Sequence, residues 1–313
     1  MRIFVAGATG AIGRRLVPQL VDRGHQVTGM TRTKAKRDQI EAAGAKAAVA
    51  DALDPEAVAR AVGEAEPEVV VHQLTAIPAS LDMRNFDRSF VATNRLRREG
   101  TDVLLSAARA VGAKRFVAQS FAAWPYERTG DWVKTEDDPL TSNPPKGVTE
   151  TVAAIRYLEE AVLGAEGMVG IALRYGGFYG PGTSLSLEGE MPDAIRKRKF
   201  PIAGGGAATW SFIHIEDAAA ATVAAIERGK PGVYNITDDE PAAVSDWLPV
   251  LARELGAKPP RRVPKWLARI AAGEVAVTMM TELRGASNEK AKRELDWHPR
   301  FASWREGFAH GLG

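Results

Sequence analysis

Three glycines near the start of the chain have a spacing that suggests phosphate binding. Gly7, Gly10 and Gly13 follow a short apolar run at residues 3–6 and precede residues 14–23, whose apolar side chains recur at helical spacing. Such a turn lets the backbone approach a pyrophosphate, and the helix N-terminus offers free N–H groups and partial positive charge. The spacing G-x-x-G-x-x-G differs from the usual G-x-G-x-x-G, but its position favours phosphate binding over a plain tight turn.

The residues after the second predicted strand, 26–30, bear on the choice of cofactor. NAD binders usually place an acidic residue there to hold the ribose 2′-hydroxyl. Arg32 stands there instead, and Lys36 and Arg37 follow it. An arginine can contact a 2′-phosphate with two hydrogen bonds, so the sequence predicts NADP(H) in preference to NAD(H). For Lys36 and Arg37 we favour a solvated helix face.

Strands and helices alternate through the first half of the chain. Further apolar runs predict strands at 45–50, 69–72, 115–119 and 169–174 and helices at 94–111 and 148–163. Asp54 is predicted to cap the helix that Pro55 begins. About six β-α repeats predict an α/β fold with a Rossmann-type doubly wound parallel sheet, which binds ligands at the carboxyl ends of its strands. Arg95, Arg97 and Arg98 are interpreted as a solvated helix face.

The alternation stops after residue 174. We therefore predict a dinucleotide-binding domain at 1–174 and a smaller, mostly helical substrate lobe at 175–313, with some segments returning to the first domain. A long polar loop ends near residue 146, and loops of that length are often lids or binding loops. Three tryptophans in or beside loops suit an apolar or aromatic substrate, or form lobe core: Trp124, Trp132 and Trp210.

Composition excludes several classes of protein. The formal net charge is +2, so nothing demands a nucleic acid or an anionic membrane as partner. There is no cysteine, which rules out disulfides and thiolate metal sites and fits a reducing compartment, so we expect a cytoplasmic protein. No apolar stretch is long enough to span a bilayer, and the five histidines lack metal-ligand spacing, so we expect no metal.

Several motifs in order along the chain resemble the extended short-chain dehydrogenase/reductases, the NAD-dependent epimerase/dehydratase group. They are Gly7-Ala8-Thr9-Gly10-Ala11-Ile12-Gly13, Asp51-Ala52-Leu53, Val70-Val71-His72, Glu99-Gly100-Thr101, Gln119-Ser120, Tyr179-Gly180-Pro181, Phe212-Ile213-His214-Ile215-Glu216-Asp217 and Glu294-Leu295-Asp296-Trp297.

The resemblance also implies which residues contact the cofactor. They would meet, in turn, its pyrophosphate (Gly7, Thr9, Gly10, Ala11, Ile12), its adenine (Asp51, Ala52, Leu53), its nicotinamide ribose (Leu74, Thr75, Ala76) and its carboxamide (Gly177, Phe178). The long helices at 92–111 and 148–163 are the surfaces through which family members often pair, so a homodimer is possible.

The chain departs from this family at the residues that move protons. The family's acid is a tyrosine in a Tyr-x-x-x-Lys pair, and the lysine and the cofactor lower its pKa. When Glu159 is aligned with the family's downstream acidic residue, Thr151 and Ile155 occupy the positions of the pair. Phe121 likewise aligns with the family's usual serine or threonine. The usual proton relay is therefore predicted to be absent.

Three hydroxyls are candidates for a replacement acid. Ser120 ends the fifth predicted strand and could donate to a substrate carbonyl, or instead bond to backbone or cofactor ribose. Tyr126 lies in the long loop, and Tyr175 directly follows the sixth predicted strand.

These features favour an NADP(H)-dependent oxidoreductase of the atypical short-chain group that acts on a small carbonyl or enone. One alternative is a non-catalytic NADP(H)-binding redox sensor or regulatory protein. Another is a nucleotide-sugar epimerase or dehydratase, for which Arg261 and Arg262 would be the lobe residues facing a diphosphate.

Overall fold

The computed structural model describes residues 1–78, 81–122 and 125–313. Its strands are β1 Arg2–Ala6, β2 Gln26–Thr31, β3 Lys46–Val49, β4 Val69–His72, β5 Arg115–Phe121, β6 Val133–Lys134, β7 Val169–Tyr175, β8 Gly177–Tyr179, β9 Ile202–Ala203, β10 Thr209–Trp210, β11 Phe212–His214, β12 Gly232–Ile236, β13 Ala242–Ala243, β14 Arg262–Val263 and β15 Gly285–Ala286. Its α-helices are α1 Gly13–Asp22, α2 Arg37–Ala42, α3 Pro55–Ala65, α4 Phe86–Arg95, α5 Thr101–Ala110, α6 Thr149–Leu163, α7 Glu190–Arg196, α8 Ile215–Arg228, α9 Val244–Glu254, α10 Lys265–Thr281, α11 Glu289–Leu295 and α12 Trp304–His310. A 3₁₀ turn spans Lys34–Lys36, and a π-helical segment spans Leu96–Gly100.

Seven parallel strands form the central sheet, in the order β12-β7-β5-β4-β1-β2-β3. The strand order reverses between β1 and β4, and a doubly wound sheet binds ligands at the carboxyl ends of the strands beside such a reversal. Val69–His72 is buried along its whole length, as expected of a central strand covered on both faces. This confirms the predicted fold class, although the seventh strand, β12, comes from the C-terminal half.

Helices cover the two faces of the sheet, and the alternation of side chains along each strand supplies both cores. Ile3 and Val5 point to one face, where they join the buried side chains of α1, α8 and α11. Phe4 and Ala6 point to the other face, where α3, α5 and α6 pack. The cap on α3 is confirmed, because the Asp54 carboxylate accepts the Ala57 N–H at 3.0 Å.

A third core lies beyond the carboxyl edge of the sheet, built mostly from residues after 179. Trp247 and Trp304 are fully buried there, against Phe212 and Phe308 respectively. None of the helices in the described residues combines the length and apolar character needed to cross a membrane.

The predicted helix over 94–111 is present as far as Ala110, but it is neither one regular α-helix nor limited to that range. The chain is already helical from Phe86, and the π-helical segment Leu96–Gly100 interrupts it before α5 begins. A π segment places an extra residue in the turn and shifts the faces of the helix that follows. This shift decides where the arginines of the segment point.

Candidate active site

The glycine turn between β1 and α1 is too crowded for side chains. Gly7 has a φ of +93°, and a Cβ there would lie 2.7 Å from the carbonyl oxygen of Gln73. A Cβ on Gly13 would lie 2.2 Å from the carbonyl oxygen of Gly7. Both glycines are therefore required for the close approach of the turn to β4 and of the helix to the turn.

The N-terminus of α1 opens beside this turn. Within the described residues the backbone N–H groups of Ala11 and Ile12 have no protein acceptor, and the first turn of the helix carries no acidic side chain. Free N–H groups at a helix N-terminus suit an anion. The site thus fits the pyrophosphate of a dinucleotide.

A crevice of about 180 Å³ runs from this turn toward the end of β2. It is lined by Gly7, Thr9, Gly10, Met30, Thr31, Arg32, Thr33, Lys36, Gln73, Leu74 and Thr75. Among these described residues, Arg32 and Lys36 have charged side chains, and both are cationic. Lys36 therefore lies in the wall of the crevice, which the sequence did not predict, whereas Arg37 pairs with Glu41 on the surface at 3.1 Å.

Four of the residues expected at the cofactor, Asp51, Ala52, Leu53 and Ala76, lie outside the described walls of this crevice and of the larger pocket that adjoins it. Asp51 follows β3, and its carboxylate accepts the backbone N–H of Leu53 at 3.0 Å. Ala52 is buried in the core beneath β3. Ala76 donates its backbone N–H to Thr93 at 3.1 Å. Whether they contact a cofactor stays a prediction.

A larger pocket of about 660 Å³ continues from the crevice and shares Gly10, Gln73 and Thr75 with it. Ala11, Ile12, Gly177 and Phe178, all expected near the cofactor, line it. Much of its wall is aromatic or aliphatic, including Phe86, Phe90, Phe121, Ile155, Trp210, Phe212 and Met279.

The structure places Thr151 and Ile155, the predicted counterparts of the family's tyrosine and lysine, in the wall of this pocket, and the described lining residues include neither a tyrosine nor a lysine. The Thr151 hydroxyl donates to Asp87 at 2.7 Å and accepts from Asn94 at 3.2 Å. Phe121, at the position of the family's serine or threonine, also lines the pocket. These three positions therefore supply no group that titrates near neutral pH.

Ser120 takes part in a buried ion-pair network. Its hydroxyl donates to Glu159 at 2.6 Å, and Arg174 donates to both oxygens of the same carboxylate, at 2.8 and 2.6 Å. The side chains of Glu159 and Arg174 are each about 4% exposed. Ser120 is not among the described residues that line the pocket.

Tyr126 and Tyr175 are not brought to the pocket either, because both are buried in the protein interior. The Tyr126 hydroxyl donates to Asn235 at 2.6 Å, and the Tyr175 hydroxyl accepts from Gln73 at 3.0 Å and bonds Thr222 at 2.7 Å. Burial raises the pKa of each tyrosine to about 12. That direction is opposite to the lowered pKa that the family's acid requires.

The remaining residues singled out in the sequence are dispersed. Trp210 lines the pocket, whereas Trp132 is about 43% exposed and stacks under Arg284. Trp124 lies outside the described residues. Arg261 and Arg262 are exposed and lie outside the described walls of the pocket.

The π-helical segment brings an arginine into the pocket wall, which corrects the prediction of a solvated face. Arg97 is 8% exposed and lines the pocket, while Arg95 and Arg98 pair with Glu99 and Glu150 on the surface. Three arginines in a helix do not by themselves indicate which one turns inward. The bulge that turns it has no sequence signal that helical periodicity could detect.

The sequence of this chain matches one protein family and is similar to proteins named as reductases. The model of the NAD dependent epimerase/dehydratase family matches residues 3–237. A Streptomyces protein described as a 3-diazoavenalumate denitrifying reductase is 45% identical over 98% of this chain and 99% of its own length. A Stigmatella aurantiaca protein described as a 4-hydroxy-2-methyl-3-oxo-4-farnesyl-3,4-dihydroquinoline-1-oxide ketoreductase is 29% identical over 96% of this chain and 92% of its own length.

Solved structures share the fold. A UDP-glucose 4-epimerase of Thermotoga maritima, solved with UDP-glucose, superposes with a TM-score of 0.75 over 100% of this chain and 97% of its own. Its sequence identity is 22%, so this likeness concerns the fold alone.

Proposed function

Because this chain belongs to the NAD dependent epimerase/dehydratase family, we propose that it is an NADP(H)-dependent reductase of a small aromatic substrate whose reduction needs no acid from the protein. Its relatives include reductases within that family, so an oxidoreductase is the shared class. The observation that carries the proposal is that the described lining of the pocket contains no tyrosine and no lysine, and that Thr151 and Ile155 stand at the predicted positions of the acid pair.

The preference for NADP(H) is supported by the charges of the crevice. Arg32 and Lys36 line it at the end of β2, and no carboxylate is found among its described lining residues. A 2′-phosphate would be attracted by both cations, whereas a ribose 2′-hydroxyl would find no acidic acceptor there. The glycine turn and the N-terminus of α1 would hold the pyrophosphate.

A bound nicotinamide cofactor supplies hydride to an electrophilic atom of the substrate. A carbonyl that accepts hydride becomes an alkoxide and must also receive a proton, which the family's tyrosine provides. At that position Thr151 directs its hydroxyl toward Asp87 at 2.7 Å. The pocket is thus better suited to an electrophile whose reduction has no protonation step.

An aryl diazonium group is such an electrophile. Its reduction by NADPH breaks the carbon–nitrogen bond, forms a carbon–hydrogen bond and yields the arene, N₂ and NADP⁺, with charge balanced and no proton consumed. The Streptomyces relative is described as a denitrifying reductase of a diazo compound. We extend this substrate class, an aromatic diazo compound, to the present chain.

The test uses para-carboxybenzenediazonium and NADPH deuterated at the transferable position. We expect catalysed N₂ release and benzoate with deuterium at the carbon that carried nitrogen. The control without protein sets the spontaneous rate. Release of N₂ no faster than in that control would contradict the diazo substrate.

A small carbonyl or enone is the second candidate, favoured by the ketoreductase relative from Stigmatella aurantiaca. In this pocket its proton would come from water. Turnover on a ketone and enone panel, without N₂ release from the diazonium, would select it. Tight NADPH binding without turnover of the diazonium or of any ketone or enone would instead favour the redox-sensor alternative. Stabilisation of the protein against unfolding by UDP would favour the nucleotide-sugar alternative.

A further inference from the structure

Arg97 is a buried cation that forms no ion pair with an acidic side chain among the described residues. It is 8% exposed, and within the described residues its guanidinium makes one hydrogen bond, from Nη1 to the neutral amide oxygen of Asn94 at 3.2 Å. Its guanidinium carbon lies 6.0 Å from the centre of the Phe90 ring. A guanidinium has five N–H donors, so most of its donor capacity is unused.

The charge of the Glu159 carboxylate favours the cationic form of Arg97 and raises its pKa, but the hydrogen bonds of that carboxylate are committed elsewhere. Glu159 accepts two hydrogen bonds from Arg174 and one from Ser120. Glu188 and Glu190 also line the pocket, but both are exposed and neither lies within ion-pair distance of Arg97. A buried cation with no ion-pair partner is costly to keep, and proteins rarely retain one without a use for it.

The unused donors face open space rather than packed protein. Arg97 lines the pocket, and within the described residues none of its nitrogens is both without a partner and sealed from solvent, unlike Nη1 of Arg174. Burial lowers the pKa of Arg97 only to about 10, so the side chain remains cationic at neutral pH. A ligand in the pocket could therefore meet a charged donor group directly.

The segment that carries Arg97 is fixed from two sides. His72, at the end of β4, accepts the Leu74 N–H on Nδ1 at 3.2 Å and so donates from Nε2 to the Leu96 carbonyl at 3.3 Å. The Thr101 hydroxyl donates to the Arg97 carbonyl at 2.7 Å. The bulge is therefore held in place before any ligand arrives, which reduces the entropy cost of binding.

We propose that Arg97 is the anion anchor of the substrate pocket and binds the carboxylate of an aromatic acid. This proposal rests on the proposed function for the position of the substrate and adds to it the substrate's second functional group. The aromatic walls at Phe90 and Phe121 suit the ring of such a substrate, and Arg97 suits its carboxylate.

The experiment compares cinnamate with its neutral analogue cinnamamide, in the protein saturated with NADP⁺, by isothermal titration calorimetry. We expect Arg97→Met to weaken cinnamate binding by about 10- to 100-fold and to leave cinnamamide binding within about twofold, because only cinnamate carries the charge. Arg97→Lys should recover part of the loss. The matched control is Arg98→Met, which removes the exposed neighbour that pairs with Glu150 and should change neither ligand.

The ratio of the two affinities within one protein sample does not depend on how much of a variant is folded. An unchanged cinnamate-to-cinnamamide ratio in Arg97→Met would overturn the proposal. Titration with NADPH in the same variants is the independent arm. If wild-type protein fails to bind NADPH, the proposed function fails, while the same affinity ratio measured without cofactor still decides whether Arg97 is an anion site. A selective loss of NADPH binding in Arg97→Met would assign Arg97 to the cofactor and overturn the proposal.

Discussion

The crevice at the glycine turn and the pocket beside it share a boundary at Gly10, Gln73 and Thr75 but are built in different ways. Backbone shapes much of the crevice, and crowding there leaves no room for side chains at Gly7 or Gly13. The pocket is shaped by side chains from segments far apart in the chain, and its described lining contains no tyrosine or lysine that could serve as the family's acid pair. The comparison suggests that cofactor binding is retained while the chemistry of the acceptor side has changed.

The largest effect is expected at the glycine turn. Gly7→Ala adds a Cβ 2.7 Å from the Gln73 carbonyl oxygen at a residue with φ of +93°. We expect NADPH affinity to fall by more than about 100-fold, because strain and collision both displace the turn. Gly24→Ala is the matched control, since its φ is +79° with nothing within 4 Å. Equal NADPH affinities in the two variants would contradict a steric role of Gly7.

His72 lies at the end of β4 and bonds the Leu96 carbonyl of the π-helical segment, and its titration should appear in the stability of the protein. Burial lowers its pKa from 6.5 to about 4. The unfolded state therefore binds the proton more readily, so this stability is present above pH 6.5 and is lost as the pH falls toward 4. We expect the free energy of unfolding to drop by about 3 kcal/mol over that range, beyond the change in a non-titrating His72→Gln variant. Denaturation curves at each pH measure this free energy for both proteins. If it changed equally with pH in wild type and in His72→Gln, the assignment to His72 would be contradicted.

A smaller effect is expected at the cofactor's adenosine end. Arg32→Ala should weaken NADPH binding about tenfold or more and NADH binding within about twofold, because only NADPH carries the 2′-phosphate. Lys36→Ala should act in the same direction. Arg37→Ala is the control, since Arg37 pairs with Glu41 outside the crevice. Fluorescence titration with both cofactors measures the difference, and equal losses for both would exclude a 2′-phosphate contact.

The sequence predicted the sheet and the glycine turn because both depend on local patterns. Apolar runs define the strands, and glycine spacing defines the turn between β1 and α1. The interior positions of Tyr126 and Tyr175 depend on contacts with Asn235, Thr222 and Gln73, which are distant in sequence.

Arg97 shows a different limit of sequence interpretation. Helical periodicity predicts its direction correctly only if the helix is regular, and the π-helical segment Leu96–Gly100 makes it irregular. Lys36 lies in a 3₁₀ turn, where the same periodicity gives no guidance about direction. Side chains of the acceptor pocket are therefore the part of the site that the sequence predicted least.

The most direct test of the central claim is the rate of NADPH oxidation by para-carboxybenzenediazonium in single-turnover experiments with Thr151→Val. Removal of the hydroxyl at the position of the family's acid should leave the rate within about threefold of wild type, with deuterium still delivered to the ring carbon. A fall of about 100-fold or more, in a variant that binds NADPH normally, would show that Thr151 takes part in the proton chemistry and would contradict the account.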